Sequence, residues 1–319
     1  MQAFLELARR AFPALIASLA MMVAGFAGAE PVQLKVMVAP TAFEAVYIAR
    51  DQGMFARHGL DVEILPGGPP DAMLPLLLNG QVQYAMSSGL AIVTAVSKGL
   101  PIRIALSNLN AGQPSTAALI VPTGSPVKSV ADLKGRKVGL SSLRNQPHLG
   151  LLISARNAGI DPASISFVEI PTSAMVAAAE KGTVDAIYAL DPHKSAALAS
   201  GNFRLVEESV SQFMGGATAV TFAASREFLD RNPAVQKNFA AAMSEAFEYA
   251  NSHPDAVRDI DVKYTKLPPE FVRGRQISPF SAVVDLAALQ KMTAAMVANG
   301  WITRAPSSAE LVDANTPTQ

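Results

Sequence analysis

The sequence predicts an α/β fold arranged as two similar lobes, and three observations carry that expectation. From Gln33 onward, short apolar strands alternate with amphipathic helices of about ten residues, the pattern of βαβ units on a mainly parallel sheet. The same order of elements returns after Lys137. The punctuation also matches: Gly59-Leu60-Asp61 is echoed by Gly159-Ile160-Asp161, and Asn79-Gly80-Gln81-Val82-Gln83-Tyr84-Ala85 by Lys181-Gly182-Thr183-Val184-Asp185-Ala186-Ile187. Offsets of 100 and 102 residues are too long for a solenoid, whose repeat runs to roughly 20–50 residues.

Taken in order, Leu34–Ala39 reads as a strand and Glu44–Gln52 as a helix, with Ala45, Ile48 and Ala49 on one face and Gly53 closing it. Asp61–Leu65 is a strand, Ala72–Leu78 a helix stopped by Asn79-Gly80, and Val82–Met86 a strand. Ala91–Lys98 is a helix ending at Gly99, and Ile102–Ser107 and Ala117–Val121 are strands. In the second half, the strands are Lys137–Leu140, Ile165–Ile170 and Asp185–Leu190, separated by the helices His148–Ala158 and Ala174–Lys181. Thr218–Ala223 is a further strand, followed by the helices Pro233–Asn251, Ala256–Tyr264 and Asp285–Asn299. The polar tail from Ala305 to Gln319 is expected to be loosely held.

The connections Asn108–Thr116 and Phe213–Thr218 read as crossovers between lobes. The first lobe is then 30–112 with 218–319, and the second is 113–217. Gly112, Gly215 and Gly216 are the expected pivots of a hinge.

Composition narrows the function. Half of the 319 residues are apolar, which excludes a disordered chain. Twenty-six basic and 26 acidic residues give no net field to attract nucleic acid or an anionic membrane. With no cysteine, disulfide scaffolds, thiol catalysts and Cys-type zinc sites are excluded. A small-molecule partner is expected, with no cofactor, no metal and a monomeric chain.

The segment Met1–Ala29 has the three parts of an export signal: Arg9-Arg10, the apolar run Ala14–Phe26, and the small-x-small ending Ala27-Gly28-Ala29. Its apolar run is short of the roughly 20 residues that span a bilayer. Cleavage is expected after Ala29, placing the mature chain in the periplasm. Arg9-Arg10-Ala11-Phe12 partly resembles a twin-arginine signal, and the general secretory route is the expected one. A lipid anchor is excluded for want of a cysteine.

Searching for reaction chemistry yields little. There is no H-E-x-x-H, P-loop, G-x-G-x-x-G or G-x-S-x-G. His58, His148, His193 and His253 are scattered without ligand spacing. Ser125-Pro126-Val127-Lys128 matches S-x-x-K, but lies in a turn without its companion motifs. The recurring feature is instead polar residues where a strand runs into a helix. Thr41-Ala42-Phe43-Glu44 reads as a capping box. Ser87-Ser88, Ser141-Ser142, Thr172-Ser173 and Asp191 occupy equivalent junctions, with Asp191 read as an N-cap before Pro192 at the first helical position. Together they put hydroxyls and free N–H groups at the carboxyl ends of two sheets, where open α/β folds bind ligands.

Several runs resemble one group of periplasmic binding proteins, which serve ABC importers for nitrate, sulfonate, taurine and the pyrimidine precursor of thiamine. They are Val46 through Glu63 (with Asp51-Gln52-Gly53-Met54-Phe55 and His58-Gly59-Leu60-Asp61), Gly80–Ala85, Lys98–Ile102, Ser129–Gly139, Gly159–Pro162 and Gly182–Ala186, in the group's order. The resemblance covers Leu34 to Ala223 and implies a two-lobed, type II-like binding protein with its ligand cleft between the lobes. It implies a receptor, not an enzyme, that delivers a small organic solute to a membrane permease with its ATPase. The chain departs from the group at Leu190-Asp191-Pro192-His193, where members often carry an aromatic and Glu before Pro; a stacking contact there is not expected. The alternatives are a receptor for the pyrimidine precursor, a pyrimidine-precursor synthase-like enzyme on the same scaffold, and a sensor for a membrane kinase.

The candidate ligand residues are Thr41, Phe43, Glu44, Ser87, Ser88, Ser141, Ser142, Arg144, Asn145 and Asp191. Asn145 caps the helix containing Pro147, an end that favours an anion. Arg144 beside it offers a bidentate contact to a carboxylate or sulfonate. Glu44, across the cleft, opposes an anion unless it is turned back onto its capping box.

Overall fold

The computed structural model describes residues 30–39, 41–67, 70–112, 114–265 and 268–319; the expected export signal lies outside them. Its strands fall into two five-stranded sheets. The first holds β1 (Val32–Val38), β2 (Leu60–Pro66), β3 (Tyr84–Ser87), β4 (Ile102–Asn110) and the late strand β10 (Thr218–Ser225), in the order β2-β1-β3-β10-β4. The second holds β5 (Ala117–Pro122), β6 (Lys137–Leu140), β7 (Ser166–Glu169), β8 (Ala186–Leu190) and β9 (Phe203–Glu207), in the order β7-β6-β8-β5-β9.

The two orders correspond strand for strand. In each sheet one strand runs against the rest, β10 in the first and β5 in the second, and each time it is the strand that arrives from the other sheet. The remaining strands run parallel to one another. The sequence echo has a geometric cause. Gly59 and Gly159 have φ of 69° and 74°, and Gly80 and Gly182 have 73° and 69°. Each glycine takes a left-handed turn that an L side chain resists, closing one helix so that the next strand can begin.

Helices flank both sheets. Around the first are α1 (Glu44–Asp51), α2 (Met54–Arg57), α3 (Pro70–Leu78) and α4 (Gly89–Ser97). Around the second are α5 (Gln146–Asn157), α6 (Thr172–Glu180), α7 (His193–Ala199) and α8 (Ser209–Met214). The C-terminal part adds α9 (Arg226–Arg231), α10 (Pro233–Ser252), α11 (Pro254–Thr265), α12 (Pro269–Arg273), α13 (Leu286–Ala298) and α14 (Ser308–Leu311). The apolar stripe of α10, with Phe239, Met243, Ala246, Phe247 and Ala250 buried, faces the first sheet. Phe239 stacks on Tyr84 with ring centroids 4.0 Å apart, and burying such a side chain stabilises by about 1.5–3 kcal/mol. The Tyr84 hydroxyl, whose pKa is raised by burial, donates to Gln236 Oε1 at 2.9 Å.

The tail departs from the expectation. Instead of hanging loose, residues 305–319 fold back along the outer edge of β4. Val312 bridges Ile104, Thr318 bridges Val284, and Thr316 Oγ1 donates to the Ile104 and Ala105 carbonyls at 3.1 and 2.8 Å. Leu311 and Val312 are the reason: two apolar side chains in a polar stretch, both buried against the sheet. The tail also covers an edge that would otherwise offer unpaired backbone groups. β9 and α8 carry no strong periodicity in the sequence, because Arg204, Glu207, Ser209 and Ser211 interrupt their apolar pattern.

Two segments connect the sheets: the stretch from Ala111 into β5, and Gly215–Ala217 into β10. They are bonded to each other. Gly216 N donates to the Ala111 carbonyl at 2.7 Å, and Ala111 N donates to the Ala217 carbonyl at 2.8 Å.

Candidate functional site

Strand direction decides which ends of the two sheets face each other. β4 leaves the first sheet at Asn110, and β5 enters the second at Ala117 opposite Leu190, the last residue of β8. The carboxyl ends of the parallel strands in both sheets therefore converge on the paired crossovers. Ligand sites of open α/β sheets lie at such ends.

Three buried polar atoms at this end of the first sheet lack a hydrogen-bond partner: Ser87 Oγ, Asn108 Oδ1 and Thr218 Oγ1. Ser87 ends β3 and leads into α4, whose N-cap Ser88 accepts from Ala91 N at 3.1 Å. Thr218 lies against that helix start; a Cβ on Gly89 would meet its carbonyl oxygen at 2.3 Å. Asn108, fully buried on β4, donates through Nδ2 to the Ala42 carbonyl at 2.9 Å, which leaves its Oδ1 as an acceptor without a donor. Each unmatched group of this kind costs about 1–3 kcal/mol.

On the second sheet, Asn145 caps α5 as expected, accepting from His148 N at 2.9 Å, and its Nδ2 donates to Ser141 Oγ at 3.2 Å. Ser142 is exposed beside them. Gln146, the first residue of α5, donates to the Thr218 carbonyl at 3.2 Å and so joins the two sets of strand ends.

Other expected residues are engaged elsewhere. The Thr41–Glu44 capping box does not form. Ala42 takes a left-handed conformation with φ of 57°, Phe43 becomes the N-cap, and no side chain caps α1. Glu44 is instead buried against Arg275, which also lies 2.5 Å from Asp261. Two carboxyls thus share one guanidinium. Burial first, and then the neighbouring Glu44, push the Asp261 carboxyl up to about 8, against the pull of Arg275. Thr41 is exposed, and Phe43 is a core residue standing edge-on to Tyr47 at 5.7 Å.

Arg144 also has a partner. Its guanidinium donates to the Trp301 carbonyl at 2.8 Å and lies 5.7 Å from the Trp301 ring centroid. Asp191 is not an N-cap followed by a helical proline: α7 starts one residue later, at His193. Asp191 Oδ1 instead accepts from Ser195 N at 3.0 Å, while Oδ2 lies 3.2 Å from the Lys194 ammonium.

Asn108, Thr218, Lys194, Asp261, Arg275 and Gln276 escaped the sequence reading. Asn108 and Thr218 lay inside segments read as connections. Arg275 is 231 residues from Glu44, and no local pattern reports such a pairing. Among the described residues, no group of three or more His, Cys, Asp or Glu side chains could hold a metal ion. Among them, too, no helix is long and apolar enough to cross a membrane.

The family model described as NMT1/THI5 like matches residues 40–257. The chain is 28% identical over 236 residues to a protein named for aliphatic sulfonate binding in Escherichia coli (strain K12), covering 72% of this chain and 71% of that one. It is 25% identical over 216 residues to the taurine-binding periplasmic protein of the same strain, covering 67% and 66%. Among solved structures, the periplasmic aliphatic sulphonate binding protein SsuA from Escherichia coli is similar with a TM-score of 0.74 at 20% identity, over 88% of this chain and 97% of that one. That likeness shows a shared fold.

Proposed function

The chain belongs to the NMT1/THI5-like family, and from that premise we propose that it is an extracytoplasmic receptor that hands a small organic solute to an ABC importer. The observation that carries this reading is the convergence of both sets of strand ends on the crossovers, with Ser87 Oγ, Asn108 Oδ1 and Thr218 Oγ1 buried and unpartnered there. In a receptor, a solute that accepts from the Ser87 and Thr218 hydroxyls completes both, and one that also carries a donor, such as the ammonium of taurine, completes Asn108 Oδ1.

The assigned solute is an organosulfonate, supported by the names of the two relatives. The physical support is the geometry of α4 and α5. Both helices begin at the strand ends, their first N–H groups lack intrahelical partners, and their dipoles favour an anionic head. Ser87, Ser88 and Thr218 on one side, with Ser141, Asn145 and Gln146 on the other, are the proposed contacts. Arg144 is assigned to the Trp301 contact, and Asp191 and Glu44 to their buried ion pairs. The lobes proposed are 30–112 with 218–319 and 113–217, hinged where Ala111 bonds Gly216 and Ala217. The mature chain is proposed to begin at Glu30, to act as a monomer, and to dock on a permease with its ATPase.

A thermal-shift panel of alkanesulfonates, taurine, nitrate and a hydroxymethylpyrimidine tests the assignment. A sulfonate should raise the melting temperature of the wild type and do so less in Ser87→Ala. A panel in which only the pyrimidine acts would replace the solute class, and an unaffected Ser87→Ala would move the site.

A further inference from the structure

Among the described residues, Lys194 is the only lysine or arginine that is fully buried. A buried ammonium is costly unless it is paired and its N–H groups are used. Asp191 supplies the opposite charge from one turn away, with Oδ2 3.2 Å from Nζ. The rest of the ammonium serves other parts of the chain. Nζ donates to the Ser115 carbonyl, inside the first crossover, and lies 3.4 Å from Gln276 Oε1.

Gln276 is not a free surface residue that happens to pass by. The residue before it, Arg275, is fixed between Glu44 at the start of α1 and Asp261 on α11. Two residues after it, Ser278 Oγ donates to the Pro114 carbonyl at 2.9 Å. Gln276 therefore belongs mechanically to the first sheet and its helices. Lys194 belongs to α7 of the second. Their contact crosses the hinge, and both ends of it also grip the same crossover, at Pro114 and Ser115.

We propose that Lys194 and Gln276 form a clasp across the hinge: positioning residues that hold the lobes in the arrangement described here and so govern capture of the solute. The consequence for capture rests on the receptor reading; the clasp itself does not. The contact joins a charged donor to a neutral acceptor at the long end of hydrogen-bond range, so its strength follows the charge placed at position 276. A carboxylate there meets directly the ammonium that Asp191 already pairs at 3.2 Å. An ammonium there faces a like charge. Because Gln276 is exposed, either substitution leaves the core intact.

The chain has no native cysteine, so spin labels on Lys128→Cys and Lys237→Cys, exposed residues on opposite lobes, report the interlobe distance alone. Without solute, Gln276→Glu should narrow the distance distribution around that of the described arrangement, and Gln276→Lys should shift it away. Ethanesulfonate affinity should rise at least threefold in the first variant and fall at least threefold in the second, mainly through the release rate. Distances unchanged in both variants, or moved in the same direction, overturn the clasp. A distribution that narrows in Gln276→Glu and shifts in Gln276→Lys, while ethanesulfonate binds to none of the proteins, upholds the clasp and overturns the sulfonate assignment.

Discussion

Ala42 and Arg144 occupy the same place in the two halves of the chain. Each stands four residues past the end of its half's first strand, Val38 or Leu140, and two before the following helix, Glu44 or Gln146. Each is left-handed, with φ of 57° and 59°. For an L-residue that conformation costs roughly 1–2 kcal/mol, so something must hold it. Asn108 Nδ2 holds the Ala42 carbonyl, and Arg144 N donates to His148 Nδ1 at 2.9 Å. The repeat that placed two glycine turns in register also placed two strained turns in register, at the end where the sheets meet.

Ala42→Val follows directly. A β-branched side chain tolerates a left-handed backbone worst. The variant should lose about 1–2 kcal/mol on the scale of that strain. Urea unfolding checks it; Ala42→Gly, whose left-handed backbone carries no such strain, should be at least as stable as the wild type.

The shared guanidinium of Arg275 predicts a pH dependence. Asp261 keeps its proton up to about 8 in the folded chain because it is buried beside Glu44, whereas in the unfolded chain it loses that proton near about 4. Between those values the folded state binds the extra proton, so stability falls as pH rises. Thermal unfolding of the solute-free protein should give a melting temperature that declines from pH 5 to pH 8. Asp261→Asn should flatten the decline; equal slopes would place the proton elsewhere.

Much of the fold was legible because helices and strands announce themselves locally. α5 capped by Asn145, the strand Lys137–Leu140 and the left-handed glycines Gly59, Gly80, Gly159 and Gly182 all follow from residues next to one another. The candidate site was legible only where it is local: Ser87, Ser88, Ser141 and Asn145 lie at strand–helix junctions that neighbouring residues mark. Glu44 was misread because its partner is Arg275, brought to it by α11 and α12 rather than by its own helix. Asn108 and Lys194 were missed for the same reason: what defines them is burial and contacts from distant segments. The tail was misread because Leu311 and Val312 gain their meaning only from the edge of β4.

Thr218→Val separates stability from function. The Thr218 hydroxyl is buried without a partner, and replacing it with an isosteric methyl should stabilise the solute-free protein by about 1 kcal/mol, the low end of the penalty for such a group. Solute affinity should fall at the same time. Chemical unfolding and calorimetry on one preparation measure both, and loss of stability in the variant would show that the hydroxyl has a partner.

The proposed export would leave a covalent record. Protein recovered from the periplasm of an expressing cell should begin at Glu30, the cleavage point expected after the Ala27-Gly28-Ala29 ending. N-terminal sequencing that reads from Met1 would contradict the cleaved signal.

The strand ends of the two sheets are proposed to bind an organosulfonate and release it unchanged. Titration calorimetry of the mature chain with an alkanesulfonate and with taurine, followed by mass spectrometry of the recovered solute, tests this most directly. The expected result is saturable binding of at least one of them at one solute per chain, with the solute chemically intact. Absence of binding by either, or recovery of an altered solute, would contradict the account.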